Sequence, residues 1–166
     1  TMESMFQRCL SLTSIDLSGF NTSKVNSMKS MFNTCRYLAS LDFSSFDTSS
    51  VQNMDSMFYN CSKLTSLNLE KFDTSQVTSM NGMFNLGKFK YLNLSNFNTS
   101  NVKIMSSMFS SCSGLTSINV SSFDTSNVNL MNGMFSYCRK LGSIDLSNFN
   151  TTSVTSISNM FNECVK

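Results

Sequence analysis

The chain contains no histidine. That absence removes every Ser-His-Asp and Cys-His nucleophile arrangement, and with no Cys-x-x-Cys pair either, no ordinary zinc ligand set remains. Charge is scarce: 12 Lys and Arg stand against 10 Asp and Glu, 13% of 166 residues, for a net charge of +2. On that balance neither nucleic-acid binding nor an acidic tail is expected. No apolar run approaches the ~20 residues of a bilayer-spanning helix, and no charged start followed by an apolar stretch marks a signal peptide, so this segment is expected not to insert into a membrane. Phosphate loops, EF-hand calcium loops and the Gly-rich calcium-binding nonapeptide are missing too, which leaves no cofactor and no metal to expect.

What the chain has is a period. Met-Phe occurs at Met5-Phe6, Met31-Phe32, Met57-Phe58, Met83-Phe84, Met108-Phe109, Met134-Phe135 and Met160-Phe161, a spacing of 26 residues with one of 25. A fixed period in this range marks a solenoid, whose units bury their apolar faces only by stacking on one another. The abundance of Ser, Thr and Asn would suggest disorder were the apolar positions not strictly periodic. Residues 1–166 therefore form a single solenoid domain of about six repeats. Because the chain begins and ends inside a repeat, it is expected to be an internal segment of a longer protein, with end-to-end self-association through its uncovered terminal faces.

Most units follow Met-Phe-x-x-Cys-x-x-Leu-x-x-Leu-x-Leu-Ser-x-Phe-(Asn/Asp)-Thr-Ser-x-Val-x-x-Met. Leu67 and Leu69 alternate with polar residues, as do Ile15 and Leu17, Leu41 and Phe43, Leu92 and Leu94, Ile118 and Val120, and Ile144 and Leu146; the alternation predicts short strands stacked into one parallel sheet. The Phe-(Asn/Asp)-Thr-Ser stretch predicts a turn. The spacing Val25, Met28, Met31, Phe32, Cys35 predicts a short helical or 3₁₀ segment on the opposite side. The Met and Phe columns are core, with thioethers filling gaps beside aromatic rings.

These motifs carry a resemblance. Leu-x-x-Leu-x-Leu within a period of 26 resembles a leucine-rich repeat, and Met-Phe-x-x-Cys-x-x-Leu with Phe-Asp-Thr-Ser-x-Val resembles the BspA-like, 26-residue repeats of bacterial surface lipoproteins. The resemblance covers essentially the whole chain. It implies an α/β, leucine-rich-repeat-type right-handed solenoid displayed extracellularly on a bacterial cell surface, often within a multi-domain adhesin, and it names no ligand.

Cys9, Cys35 and Cys61, then Cys112, Cys138 and Cys164, form two runs of one column. Stacked side chains in register point the same way, so six buried free thiols are expected rather than disulfides.

The expected function is a non-enzymatic binding or adhesion module for an extracellular protein or glycan; a stalk is one alternative, and an ice-binding face built on Thr22, Thr48, Thr74, Thr99, Thr125 and Thr151 is another. The column Asp16, Asp42, Asn68, Asn93, Asn119, Asp145 should point outward between the Leu-like residues. Asp16 and Asp42 could approach each other as glycosidase carboxylates do, yet Asp and Asn interchange freely and a hydrogen-bonded ladder explains the column better. Repeat four departs from consensus at Leu86-Gly87-Lys88-Phe89-Lys90-Tyr91, losing one residue and its Cys, and Glu70 and Lys71 depart as well. Tyr91, Glu70 and the Asp/Asn column are thus the candidate ligand-binding residues.

Overall fold

The computed structural model describes residues 1–165, in which repeats one to six begin at Met5, Met31, Met57, Met83, Met108 and Met134. The repeats stack on one continuous apolar cluster in which Met31, Phe32, Cys35, Met57, Phe58, Cys61 and their equivalents in repeats four to six are fully buried. Phe6, Phe32, Phe58, Phe84, Phe109, Phe135 and Phe161 form an unbroken ring stack, with centroids 5.4 Å apart at Phe6–Phe32, 6.1 Å at Phe32–Phe58 and 5.5 Å at Phe135–Phe161. The expected core columns are thus the observed core.

The secondary structure differs from expectation. Among the described residues there is no helix and no strand longer than an isolated bridge. Where a helical segment was expected, backbone amides alternate between two partners. Met31, Asn33 and Cys35 donate back three residues, to Met28, Ser30 and Phe32, while Ser30, Phe32 and Thr34 donate to Asp55, Met57 and Tyr59 of the next repeat at 2.8, 3.0 and 2.7 Å. The alternation needs left-handed residues, and they recur at Ser30 (φ 56°) and Thr34 (φ 63°), Ser56 and Asn60, Ser107 and Ser111. A left-handed L-residue costs about 1–2 kcal/mol, which the inter-repeat bonds offset. Gly82 (φ 61°) and Gly133 (φ 59°) fill the same column without that cost.

Parallel pairing also lies elsewhere than expected. The bridges run Ser27 to Asn53, Ser79, Ile104, Leu130 and Ser156, just before each Met. The Leu-x-Leu segments keep their alternation, with Leu69 buried and Asn68 exposed, but no backbone bond joins Leu67–Leu69 to an adjacent repeat.

The Thr column is a clamp between repeats. Thr22 Oγ1 donates to the Asp47 carbonyl and accepts from the Asp47 amide, both at 2.8 Å. Thr48 does the same with Asp73, and Thr74 with Asn98. Thr22, Thr48, Thr74, Thr99 and Thr125 are buried, whereas Thr151, with no described repeat beyond it, is exposed. The flat Thr face that ice binding would require is therefore not presented.

Repeat four is repacked around its deletion. Gly87 stands in the cysteine column, and a Cβ there would meet the Phe89 ring at 2.4 Å. Phe89 is fully buried edge-on to Phe84, centroids 5.9 Å apart. The shortened chain also approaches repeat five, so that a Cβ on Gly114 would lie 2.9 Å from the Phe89 carbonyl.

Two predictions follow from this packing. Gly87→Cys, which restores the repeat consensus, and Gly114→Ala should each destabilise by about 1–3 kcal/mol in urea denaturation; Gly19→Ala and Gly142→Ala, where nothing lies within 4 Å, should stay within about 0.5 kcal/mol. Equal effects at all four glycines would refute the co-packing. Thr74→Val should cost about 1–3 kcal/mol by removing the buried hydroxyl that pairs with the Asn98 amide and carbonyl, while Thr151→Val should be silent.

Candidate binding groove

The outward Asp/Asn column is explained by its hydrogen bonds. Asp16, Asp42, Asn68, Asn93, Asn119 and Asp145 each accept, through Oδ1, the amide two residues on, from Ser18, Ser44, Glu70, Ser95, Ser121 and Ser147. Only Oδ1 is used, so Asp and Asn serve equally. A second column, Asn21, Asp47, Asp73, Asn98, Asp124 and Asn150, makes the same turn. The Ser18 amide holds the Asp16 carboxyl below the usual carboxylate range, as the Ser147 amide does for Asp145. A carboxylate held ionised in this way is a poor proton donor, so Asp16 does not suit the acid role in a carboxylate pair.

The cysteines offer no chemistry either. All six are free; Cys9 and Cys164 are partly exposed at the ends, and the other four are buried. Cys35, Cys61, Cys112, Cys138 and Cys164 donate to the Phe carbonyls of the preceding repeat, Cys61 to Phe32 at 3.1 Å. Burial pushes the Cys35 thiol up to about 11 and Cys61 and Cys138 to about 12, so the reactive thiolate is scarce. No group of three or more acidic or Cys side chains able to hold a metal ion occurs among the described residues.

One column staples neighbouring repeats and fails at one place. Asn96 Nδ2 donates to the Leu69, Glu70 and Phe72 carbonyls of repeat three, and Asn148 makes the equivalent bonds to Val120, Ser121 and Phe123. Ser45 and Ser122 make shorter staples, to Leu17 and Leu94. The same position in repeat three is Lys71, which accepts no such role and is exposed. Among the described residues no donor reaches the Ser44 or Phe46 carbonyl; the Ser18, Phe20, Ser95 and Phe97 carbonyls beside the serine staples are open in the same way, but only at Lys71 is the staple itself missing between two repeats. At that fault a groove opens between repeats two and three, lined by Leu41, Asp42, Phe43, Ser44, Asn68, Glu70, Lys71 and Phe72. A shallower depression continues it past Ser40, Ser66 and Leu67 to Asn93.

The structure thus brings Asp42, Asn68, Glu70 and Asn93 together and leaves Asp16, Asn119 and Asp145 outside the groove. Tyr91 does not line it, although it is 61% exposed and continues the column of Ser40 and Ser66. Sequence reasoning marks Lys71 as a departure but does not name it as a site residue, and it misses the Ser44 carbonyl; the signal was a Lys in a column otherwise occupied by Gly19, Ser45, Asn96, Ser122 and Asn148.

Comparison with known proteins agrees with this architecture. Residues 1–89 and 85–166 each match the family described as "Mycoplasma protein of unknown function, DUF285". A leucine-rich repeat protein from Bacteroides ovatus ATCC 8483, known from its crystal structure, is similar with a TM-score of 0.65 and 23% sequence identity over 98% of this chain and 38% of that one. The present chain therefore spans well under half of that protein, and the likeness is one of fold. No curated protein matches the chain. The chain belongs to the DUF285 family, and its repeat fold agrees with the BspA-like leucine-rich-repeat type that the sequence resembles.

The carboxylate turns predict an acid response. Asp16, Asp47, Asp124 and Asp145 all lie below the ordinary 3.8 when folded, through hydrogen bonds from Ser18, Ser49, Ser126 and Ser147. Their contribution is present above 3.8 and is lost as pH falls below it through the lowered folded values. Replacing all four by Asn should keep the melting temperature at pH 7 and flatten its decline between pH 4 and 2. A quadruple variant as acid-sensitive as the parent would show that these turns do not govern the response.

Proposed function

We propose that the chain is a non-enzymatic binding module of a bacterial cell-surface protein, and that the groove between repeats two and three docks an extended segment of an extracellular partner. The observation that carries this reading is the missing staple at Lys71, which leaves the Ser44 carbonyl unclaimed beside Asp42, Glu70 and Lys71. An extended polypeptide supplies the N–H donors such a rim lacks, and the Glu70–Lys71 pair can engage charges of either sign along it. Tyr91, one repeat beyond, is placed to add an aromatic anchor. The fold family supports a binding or structural role, and the resemblance of the repeats to those of bacterial surface proteins is what supports extracellular display in this reading. The apolar residues left open at the ends, among them Met5, Ile157 and Phe161, suit a further repeat or a second copy stacked end to end.

The test is a binding screen of the intact chain against extracellular matrix proteins and glycans, repeated with Lys71→Asn. That substitution supplies the staple used at Asn96 and Asn148, so it should close the groove, raise stability by about 0.5–1.5 kcal/mol and abolish capture of the ligand. Tyr91→Ala should weaken the same ligand by about 1–2 kcal/mol without affecting folding. Absence of any ligand would establish a stalk instead, and a ligand indifferent to Lys71→Asn would place the site elsewhere.

A further inference from the structure

The weak net charge conceals a sharp segregation. In each of repeats one to six, the stretch from the second residue after Met to just before the Leu-x-Leu segment (7–14, 33–40, 59–66, 85–91, 110–117 and 136–143) contains no Asp or Glu. These stretches nevertheless hold Arg8, Arg36, Lys63, Lys88, Lys90 and the pair Arg139-Lys140, all of them exposed. They also hold all four tyrosines of the chain, Tyr37, Tyr59, Tyr91 and Tyr137. Stacking turns these stretches into one edge of the rod, which excludes Lys71 and borders the shallow end of its groove at Ser40 and Ser66, with Tyr91 one repeat beyond. The carboxylates lie on the other columns, apart from Glu163 just beyond repeat six, 3.8 Å from Arg139.

The edge is physically continuous over repeats one to three. Lys63 donates its amide to the Arg36 carbonyl at 3.2 Å. A groove there is lined by Gln7, Arg8, Asn33, Arg36, Tyr59 and Asn60, with no carboxylate among its lining residues. In the amide orientation that satisfies both groups, the Arg36 guanidinium donates to Asn60 across the repeat boundary at 3.2 and 3.3 Å. Further along, Lys88 Nζ reaches Ser113 at 2.8 Å, and the Arg139 guanidinium lies 5.7 Å from the Tyr137 ring centroid.

We infer that this edge is an interaction surface for an extended anionic polysaccharide carrying sulfate groups. Three observations select that chemistry. Cations occur once or twice in each of repeats one to four, a linear array suited to a polyanion lying along the rod. The well exposed tyrosines, Tyr37 (57%), Tyr91 (61%) and Tyr137 (42%), fall on alternate repeats, at different positions within them, and offer flat faces to sugar rings. A single nucleic-acid strand stacks successive bases on aromatic side chains within a cationic groove, and the intervening repeats instead present Gln7, Asn60, Ser110 and Ser113, hydroxyls and amides suited to sugar hydroxyls.

The experiment measures binding of the intact chain to a heparin-derived decasaccharide, to its fully desulfated and N-acetylated counterpart, and to a single-stranded DNA oligonucleotide of equal charge, by titration at 50 and 200 mM salt. The sulfated probe should bind, lose about ten- to a hundredfold in affinity between the two salt concentrations as counterion release requires for a handful of contacts, and exceed the desulfated sugar and the DNA at both. Arg8→Glu/Arg36→Glu/Lys63→Glu should abolish binding with an unchanged melting curve, and Tyr37→Ala should weaken it about tenfold. Lys24→Glu/Lys29→Glu/Lys103→Glu, on other columns, should retain most of the affinity. Equal binding of the desulfated sugar, tighter binding of the DNA, no binding at 50 mM salt, or equal loss in both triple variants would each overturn the proposal. Lys71→Asn should leave this binding intact, so failure of the groove reading and failure of this one are separately visible.

Discussion

The fold rests on how each repeat divides its backbone amides. In the Met-Phe segment alternate N–H groups close tight turns within the repeat, and the ones between them reach the carbonyls of the next. Neither a helix nor a sheet does this: a helix would spend every amide internally, and a parallel strand would spend every amide on its neighbours. The mixed pattern exists because two residues per repeat accept the left-handed conformation. Everything else follows that ladder, since it sets the spacing at which the Phe rings stack, the Cys thiols meet the preceding Phe carbonyls and the Thr hydroxyls clamp the next backbone.

The core was legible in the sequence for a simple reason. A residue at one repeat position meets its own kind one repeat away, so the Met-Phe, Cys, Val and Leu columns had to be apolar and in register, and they are. The helical expectation failed because Met28, Met31, Phe32 and Cys35 are spaced by three and four, and a run of turns with left-handed residues at Ser30 and Thr34 puts the same side chains inward. The discriminating signal was the column Ser4, Ser30, Ser56, Gly82, Ser107, Gly133, Asn159, whose mixture of Gly and small polar residues suits positive φ. Likewise Leu67 and Leu69 alternate as a bonded strand would. The intervening Asn68 instead takes the Glu70 amide for its own turn, and alternation alone does not distinguish the two.

The candidate sites were only half legible. Asp42, Asn68, Glu70 and Asn93 could be placed on the outward side from the repeat alone. What makes a groove of them is the failure of Lys71 to do what Asn96 and Asn148 do, and that role becomes apparent only when the amide is seen to reach three carbonyls of the neighbouring repeat. The basic edge was hidden by averaging. A net charge of +2 is the sum over all columns, whereas a partner meets one column at a time, and the relevant quantity was charge by repeat position.

These observations share one logic. The columns that lock the repeats together have their polar atoms committed: Thr to the next backbone, the Asp and Asn Oδ1 atoms to turns, the Cys sulfurs to Phe carbonyls, the stapling Asn to three acceptors. A committed group has little left to offer a ligand, because binding it would mean first breaking a bond that holds two repeats together. Free donors, acceptors and charges therefore collect where a repeat departs from consensus, at Glu70, Lys71, Lys88, Lys90 and Tyr91, or at positions the consensus leaves open, such as Arg36, Tyr37 and Arg139. At Lys71 the departure itself frees a backbone acceptor. Recognition can then vary from one repeat to another while the ladder beneath it stays the same, which is the physical reason that a stack so uniform in its interior can carry two surfaces as different as a carboxylate-rimmed groove and a cationic, tyrosine-lined edge.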